Sequence, residues 1–172
     1  MEKGLEDRFR KMVESYSERL YWHVRSIVGS HDDADDLLQD IFLKAWKALP
    51  SFRGESSEYT WLWRIATNEA LQFLGKENRR RAIAENMGGR ELEGKASGIE
   101  ADPYFNGDEA ERKIRDAIAA LPPKQRSVFC MRYYEDMSYE DISSITGTSV
   151  GALKASYHFA QEKIRIKLDR EI

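Results

Sequence analysis

At 172 residues, 41% hydrophobic and 33% charged, the chain has the makeup of an ordinary globular protein of one domain or two small ones. A net charge of only −3 excludes a protein that coats nucleic acid by bulk charge, so any such binding has to come from local charge distribution. No stretch approaches the roughly 18 uninterrupted apolar residues of a membrane span, and the start, MEKGLEDRFRK, lacks the apolar core of a signal peptide; a cytoplasmic protein is expected.

In chain order, Leu5 to Val28 sets Phe9, Met12, Val13, Tyr16, Leu20, Val24, Ile27 and Val28 at helical spacing, closed by Gly29-Ser30. Asp32, Asp33, Asp35 and Asp36 open a second helix, where carboxylates suit the positive end of the macrodipole, and Pro50 stops it after Leu49. A third begins near Ser57 and runs to about Lys76 or beyond on Trp61, Leu62, Ile65, Ala66, Phe73 and Leu74. On it, Arg64, Asn68, Gln72 and Lys76 step by four, a polar row that leads into KENRRR at Lys76 to Arg81, with four bases against one acid. Such a row can meet bases and phosphates, or simply face solvent.

Met87 to Gly107 holds five glycines and Pro103, within a wider acidic stretch, Glu85 to Asp116, of nine acids against five bases. It buries too little apolar surface to offset its ordering entropy, so it reads as a flexible linker. No segment alternates with the period of a strand. The expectation is an all-α fold, with a helical domain at 1–82, an acidic linker at 83–108 and a second helical domain at 109–172. The lone cysteine, Cys130, has no internal partner and falls in the run Val128-Phe129-Cys130-Met131, as a buried filler would.

Ile142 to Gln161, ISSITGTSVGALKASYHFAQ, has the spacing of helix, glycine turn and second helix. Ile142 and Ile145 line one helix, and Val150, Leu153, Tyr157, Ile164 and Leu168 recur along the next. Ser138 and Ser149 stand where N-caps belong, and Gly147 where a left-handed stop belongs. In a helix-turn-helix the second helix enters the major groove, so Lys154, Ala155, His158 and Phe159 become candidate base readers. An ordinary helical hairpin is the alternative.

Three further motifs extend the pattern: A-x-D-L-x-Q-x-x-F at Ala34 to Phe42, F-R-G followed by T-W-L-W-R-I-A-x-N at Phe52 to Asn68, and L-P-x-x-Q-R at Leu121 to Arg126. With the helix-turn-helix after them, they closely resemble the extracytoplasmic-function class of bacterial sigma factors, over almost the whole chain outside the linker. The resemblance implies sigma domains two and four. It implies docking of Asp36, Gln39, Asp40, Phe42 and Trp46 on the beta-prime clamp helices of core RNA polymerase. It places Asn68 near a flipped-base pocket of the minus-ten element, with Gln72 one turn on and the loop Phe52 to Glu58 forming part of that pocket. Lys76 of the polar row joins the minus-ten contacts, Arg79, Arg80 and Arg81 then track phosphates, and Arg64 serves either DNA or an ion pair. Trp61 and Trp63 fit the core better than a stacking role. At the minus-thirty-five element Arg132 and Lys154 match DNA-contacting positions, while His158 and Phe159 stay open between base reading and other roles. Relatives commonly carry arginines where this chain has Ser156, Phe159 and Gln161, so its minus-thirty-five binding is expected to be weaker and less salt-sensitive. Promoter DNA, core polymerase and an anti-sigma factor are the implied partners. No cofactor, metal or small-molecule substrate is expected, and the linker's acidity suits the polymerase's RNA exit path.

Two other classes compete. His31 with Asp32, Asp33, Asp35 and Asp36 suggests a metal-dependent phosphohydrolase, but consecutive aspartates on a helix point in different directions and capping already accounts for them. A stand-alone dimeric regulator accounts for the helix-turn-helix but not for the Asp36 and Gln39 pattern.

Overall fold

The computed structural model describes residues 1–87 and 108–170, which form seven α-helices and one 3-10 turn, with no strand among the described residues. The helices are α1 (Glu2–Val28), α2 (His31–Ala48), α3 (Glu58–Asn86), α4 (Glu109–Ala119), α5 (Pro123–Tyr133), α6 (Tyr139–Thr146) and α7 (Val150–Arg170). The all-α expectation holds. Helix α3 continues through Arg81 to Asn86, because the run RRRAIAE consists of good helix formers, and so takes in the residues expected to begin the linker. The rest of the linker, 88–107, lies outside the described residues.

Local chemistry sets the helix ends. Ser30 accepts the Asp33 amide at 3.3 Å, Ser57 that of Thr60 at 3.1 Å, Ser138 that of Asp141 at 3.1 Å and Ser149 that of Ala152 at 3.2 Å. Each such cap contributes about 1 kcal/mol. Gly29 ends α1 at φ 88° and Gly147 ends α6 at φ 73°, both in the left-handed region open to glycine.

In the N-terminal unit, α1, α2 and α3 enclose Met12, Leu20, Val24, Ile27, Ile41, Leu62 and Trp63, all at most 1% exposed. In the C-terminal unit, α4 to α7 close over Val128, Phe129, Met131, Ile142, Ile145, Leu153 and Ile164. Burial of each large side chain stabilises the fold by about 1.5–3 kcal/mol. The two units also meet. Helix α5 packs on α1 and α3, and α6 packs on α3, so the buried residues form one continuous cluster.

Candidate functional site

The predicted interface residues of α2 share a solvent face. Asp36, Gln39 and Asp40 are exposed while Ala34, Leu37, Ile41 and Ala45 point inward. Phe42 is half-buried, its ring edge-on to Phe9 at 6.2 Å, and Trp46 lies 5.2 Å from the same ring yet stays 39% exposed. Each aromatic therefore serves packing and surface together. Leu43, three residues beyond Asp40, is 57% exposed and completes the row. It escaped the motif reading, though an apolar residue at that spacing from two polar interface candidates is a legible signal. Asp33 has its carboxyl pushed up by burial, an effect opposed by the hydrogen bond with Ser30. Among the described residues no group of three or more His, Cys, Asp or Glu side chains is placed to hold a metal ion, and His31 Nδ1 instead pairs with the Tyr21 hydroxyl at 2.5 Å.

On α3, Arg64, Asn68, Gln72 and Lys76 are all exposed along one side, and Arg79, Arg80 and Arg81 follow. Arg79 bonds back to the Gly75 carbonyl at 3.3 Å and Arg80 to Glu77 at 3.0 Å. Arg64 donates from Nε to the Ser144 carbonyl of α6 at 2.7 Å, a link to the other unit rather than the ion pair considered as its alternative. Trp63 is fully buried, and Trp61 is half-buried against Phe52, ring centres 4.9 Å apart. Phe52 in turn carries Arg8 over its ring at 5.3 Å, which anchors the start of the 52–57 loop while Arg53, Gly54 and Glu55 remain exposed.

On α7, Lys154, Ala155, His158 and Phe159 are exposed together, backed by buried Leu153 and Ala160. Phe159 is 56% exposed, so it does not pack internally. Arg132 has a different setting. Its Nη1 donates to the Met137 carbonyl at 2.6 Å and its guanidinium lies over Tyr139 at 4.6 Å, so it braces the turn between α5 and α6.

A buried polar cluster lies where the units meet, and no local pattern pointed to it. His23 of α1, 0% exposed, has Nδ1 2.6 Å from Glu135 Oε2 and Nε2 2.9 Å from the Thr67 hydroxyl. A carboxylate only accepts, so Nδ1 donates to Glu135, and Nε2 shares a hydrogen bond with the Thr67 hydroxyl. Trp63 Nε1 donates to the other carboxylate oxygen of Glu135 at 3.2 Å. Nearby, the Cys130 thiol donates to the Ser26 carbonyl at 3.3 Å, and burial pushes its pKa up to about 12. A cleft of about 260 Å³ beside this cluster is lined by Trp22, Arg25, Arg115, Arg126 and Tyr134. Burial lowers the pKa of Arg25 and Arg126; beyond it, Arg115 acts on Arg25 and Arg81 on Arg126, both across the unit boundary.

Residues 12–80 match the family described as Sigma-70 region 2, and residues 111–164 match Sigma-70, region 4. The chain is 31% identical over 173 residues to the ECF RNA polymerase sigma-E factor of Haemophilus influenzae, covering 98% of this chain and 91% of that one. To the Escherichia coli sigma-E factor it is 32% identical over 174 residues, covering 98% and 90%. Among solved structures, sigma factor RpoE in complex with the anti-sigma factor NepR from Bartonella quintana matches with TM-score 0.64 and 22% identity, covering 94% of this chain and 97% of that one. CnrH in complex with the cytosolic domain of CnrY matches with TM-score 0.65 and 21% identity, covering 97% and 91%.

Proposed function

Because the chain belongs to the extracytoplasmic-function class of the sigma-70 family, and so is a promoter-specificity subunit for transcription initiation, we propose how its three exposed faces divide that task. The α2 face docks on the beta-prime clamp helices of core polymerase, with Asp36, Gln39 and Asp40 as polar partners and Phe42, Leu43 and Trp46 as apolar anchors. The α3 row Arg64, Asn68, Gln72 and Lys76, with the 52–58 loop, captures an unstacked base of the minus-ten element, and Arg79 and Arg80 hold phosphates. The α7 face, Lys154, Ala155, His158 and Phe159, enters the major groove at the minus-thirty-five element, and Arg132 supports it by fixing the turn before α6.

The observation that carries this division is that α2, α3 and α7 each expose a row of polar side chains, joined by aromatics on α2 and α7, opposite a buried apolar stripe. In this reading catalysis remains with the polymerase, the protein acts in the cytoplasm, and an anti-sigma factor holds it inactive, as NepR and CnrY accompany the two solved relatives. In the same reading the linker at 83–108 joins domains at 1–82 and 109–172, its first residues, to Asn86, continuing α3.

Run-off transcription from a genomic fragment library tests the proposal, using core polymerase with and without the protein and with an Asp36→Ala/Gln39→Ala variant. New discrete start sites that fade with the variant support it. A protein that shifts duplex DNA but neither binds core nor creates start sites is instead a stand-alone regulator.

A further inference from the structure

We infer that the cleft where the two units meet is a binding site for a small phosphate-type oxyanion, a ligand that neither promoter recognition nor polymerase docking calls for. Arg25 of α1, Arg115 of α4 and Arg126 of α5 line one cavity of about 260 Å³. That is just below the roughly 300 Å³ at which pockets for drug-sized ligands begin, so its occupant has to be small. Three guanidiniums around so small a space set the sign of its charge as well, and their planar forks match phosphate oxygens two at a time.

Arg126 is the strongest pointer to a ligand. It is 8% exposed, yet among the described residues only its Nη1 has an acceptor, the Ala119 carbonyl at 3.4 Å, and its buried Nε has none. None of the groups that act on its charge is a carboxylate. A buried charged donor without an acceptor is costly, and an oxyanion seated on the Nε–Nη2 edge removes that cost. Gly29 keeps the place open, since a Cβ there would stand 3.0 Å from Nη2. Burial lowers the pKa of both Arg25 and Arg126, and like charge from Arg115 and Arg81 respectively lowers them further, so an anion offsets several unfavourable effects together.

The competing charges are already engaged or weakly held. Glu135, the one carboxylate among the lining residues, is bound by His23 Nδ1 at 2.6 Å and Trp63 Nε1 at 3.2 Å. Arg115 also meets Glu111 at 3.2 Å, but Glu111 is half open to solvent, which makes the pair weak. Trp22 and Tyr134 stand as apolar walls beside the guanidiniums, so the phosphate can be free or the ester of a compact ring.

Isothermal titration calorimetry of the full-length protein at fixed ionic strength tests the site, with sodium pyrophosphate and phenyl phosphate as probes. One-to-one binding of at least one is expected, and the tighter probe tells a free oxyanion from an aromatic ester. Arg126→Lys keeps the charge and removes the fork; Arg115→Gln alters a side chain that is 28% exposed. Each is expected to weaken the tighter probe about tenfold, and a loss in either supports the site. Circular dichroism checks that both variants stay folded, and Arg115→Gln decides alone if the buried substitution does not. If neither probe binds, or if the folded variants bind as wild type does, the inference is overturned. Binding that disappears instead with Arg79→Gln/Arg80→Gln also overturns it, by tracing the anion to the exposed arginine run of α3.

Discussion

Leu43 and Cys130 sit at opposite extremes of exposure, and each predicts something different. Leu43 is 57% exposed, so truncation leaves no cavity. Leu43→Ala is expected to weaken core polymerase binding about tenfold while changing stability by less than about 0.5 kcal/mol. A binding titration alongside a thermal melt checks this, and undiminished affinity removes Leu43 from the interface. At the other extreme, burial raises the Cys130 thiol from 9.0 to about 12 and the Tyr59 and Tyr134 hydroxyls from 10.0 to about 12. Each group gives up its proton earlier when unfolded, so stability is full below about pH 9 and falls as pH rises from there toward about 12. Denaturant midpoints should decline over that window, less so in Cys130→Ala; a level midpoint refutes it. Much at this scale was legible in the sequence. Ser138, Ser149 and Gly147 act within a few residues of themselves, so their capping roles are local. His23 and Glu135 are 112 positions apart, and a histidine on an apolar helix face gives no hint of so distant a partner.

The helix ends allow a graded comparison. Gly29 and Gly147 both hold positive φ, at 88° and 73°, yet their surroundings differ. A Cβ on Gly147 meets nothing within 4 Å, whereas on Gly29 it meets the Arg126 Nη2 at 3.0 Å. Gly147→Ala is thus expected to cost about 1 kcal/mol of backbone strain alone. Gly29→Ala adds a steric clash across the unit boundary, so it should lower the melting temperature further; equal losses would show that the guanidinium yields freely. The extent of α3 was the least legible of the element boundaries. The amphipathic pattern fades after Leu74, its last buried residue, and the remaining turns stay helical through local propensity without a core to mark them.

Across the whole molecule, the division into two helical units could be read from the two hydrophobic patterns and the acidic stretch between them. Their contact could not, because it depends on side chains that come together only after each unit has folded. The seam also answers to ionic strength. The Arg25–Arg115 and Arg81–Arg126 repulsions include partners near solvent and are screened by salt, while the His23–Glu135 pair is shielded by burial. Raising salt from about 50 to about 500 mM should therefore slow modification of the buried Cys130 thiol by a small disulfide reagent in the free protein. An increase in rate would mean that attraction, not repulsion, is what the salt weakens.

One rod carries both of these faces. Trp63 and Thr67 meet Glu135 and His23 from the same turns of α3 on which Asn68 faces outward, so a strand gripped along that outward row and the contact between the units share a rigid body. Thermodynamic reciprocity then couples the two faces: any shift of α3 that base capture favours is felt at the contact between the units. Promoters that differ only in their minus-ten sequence would differ not just in how tightly they are held but in how firmly the two units of the bound protein stay together.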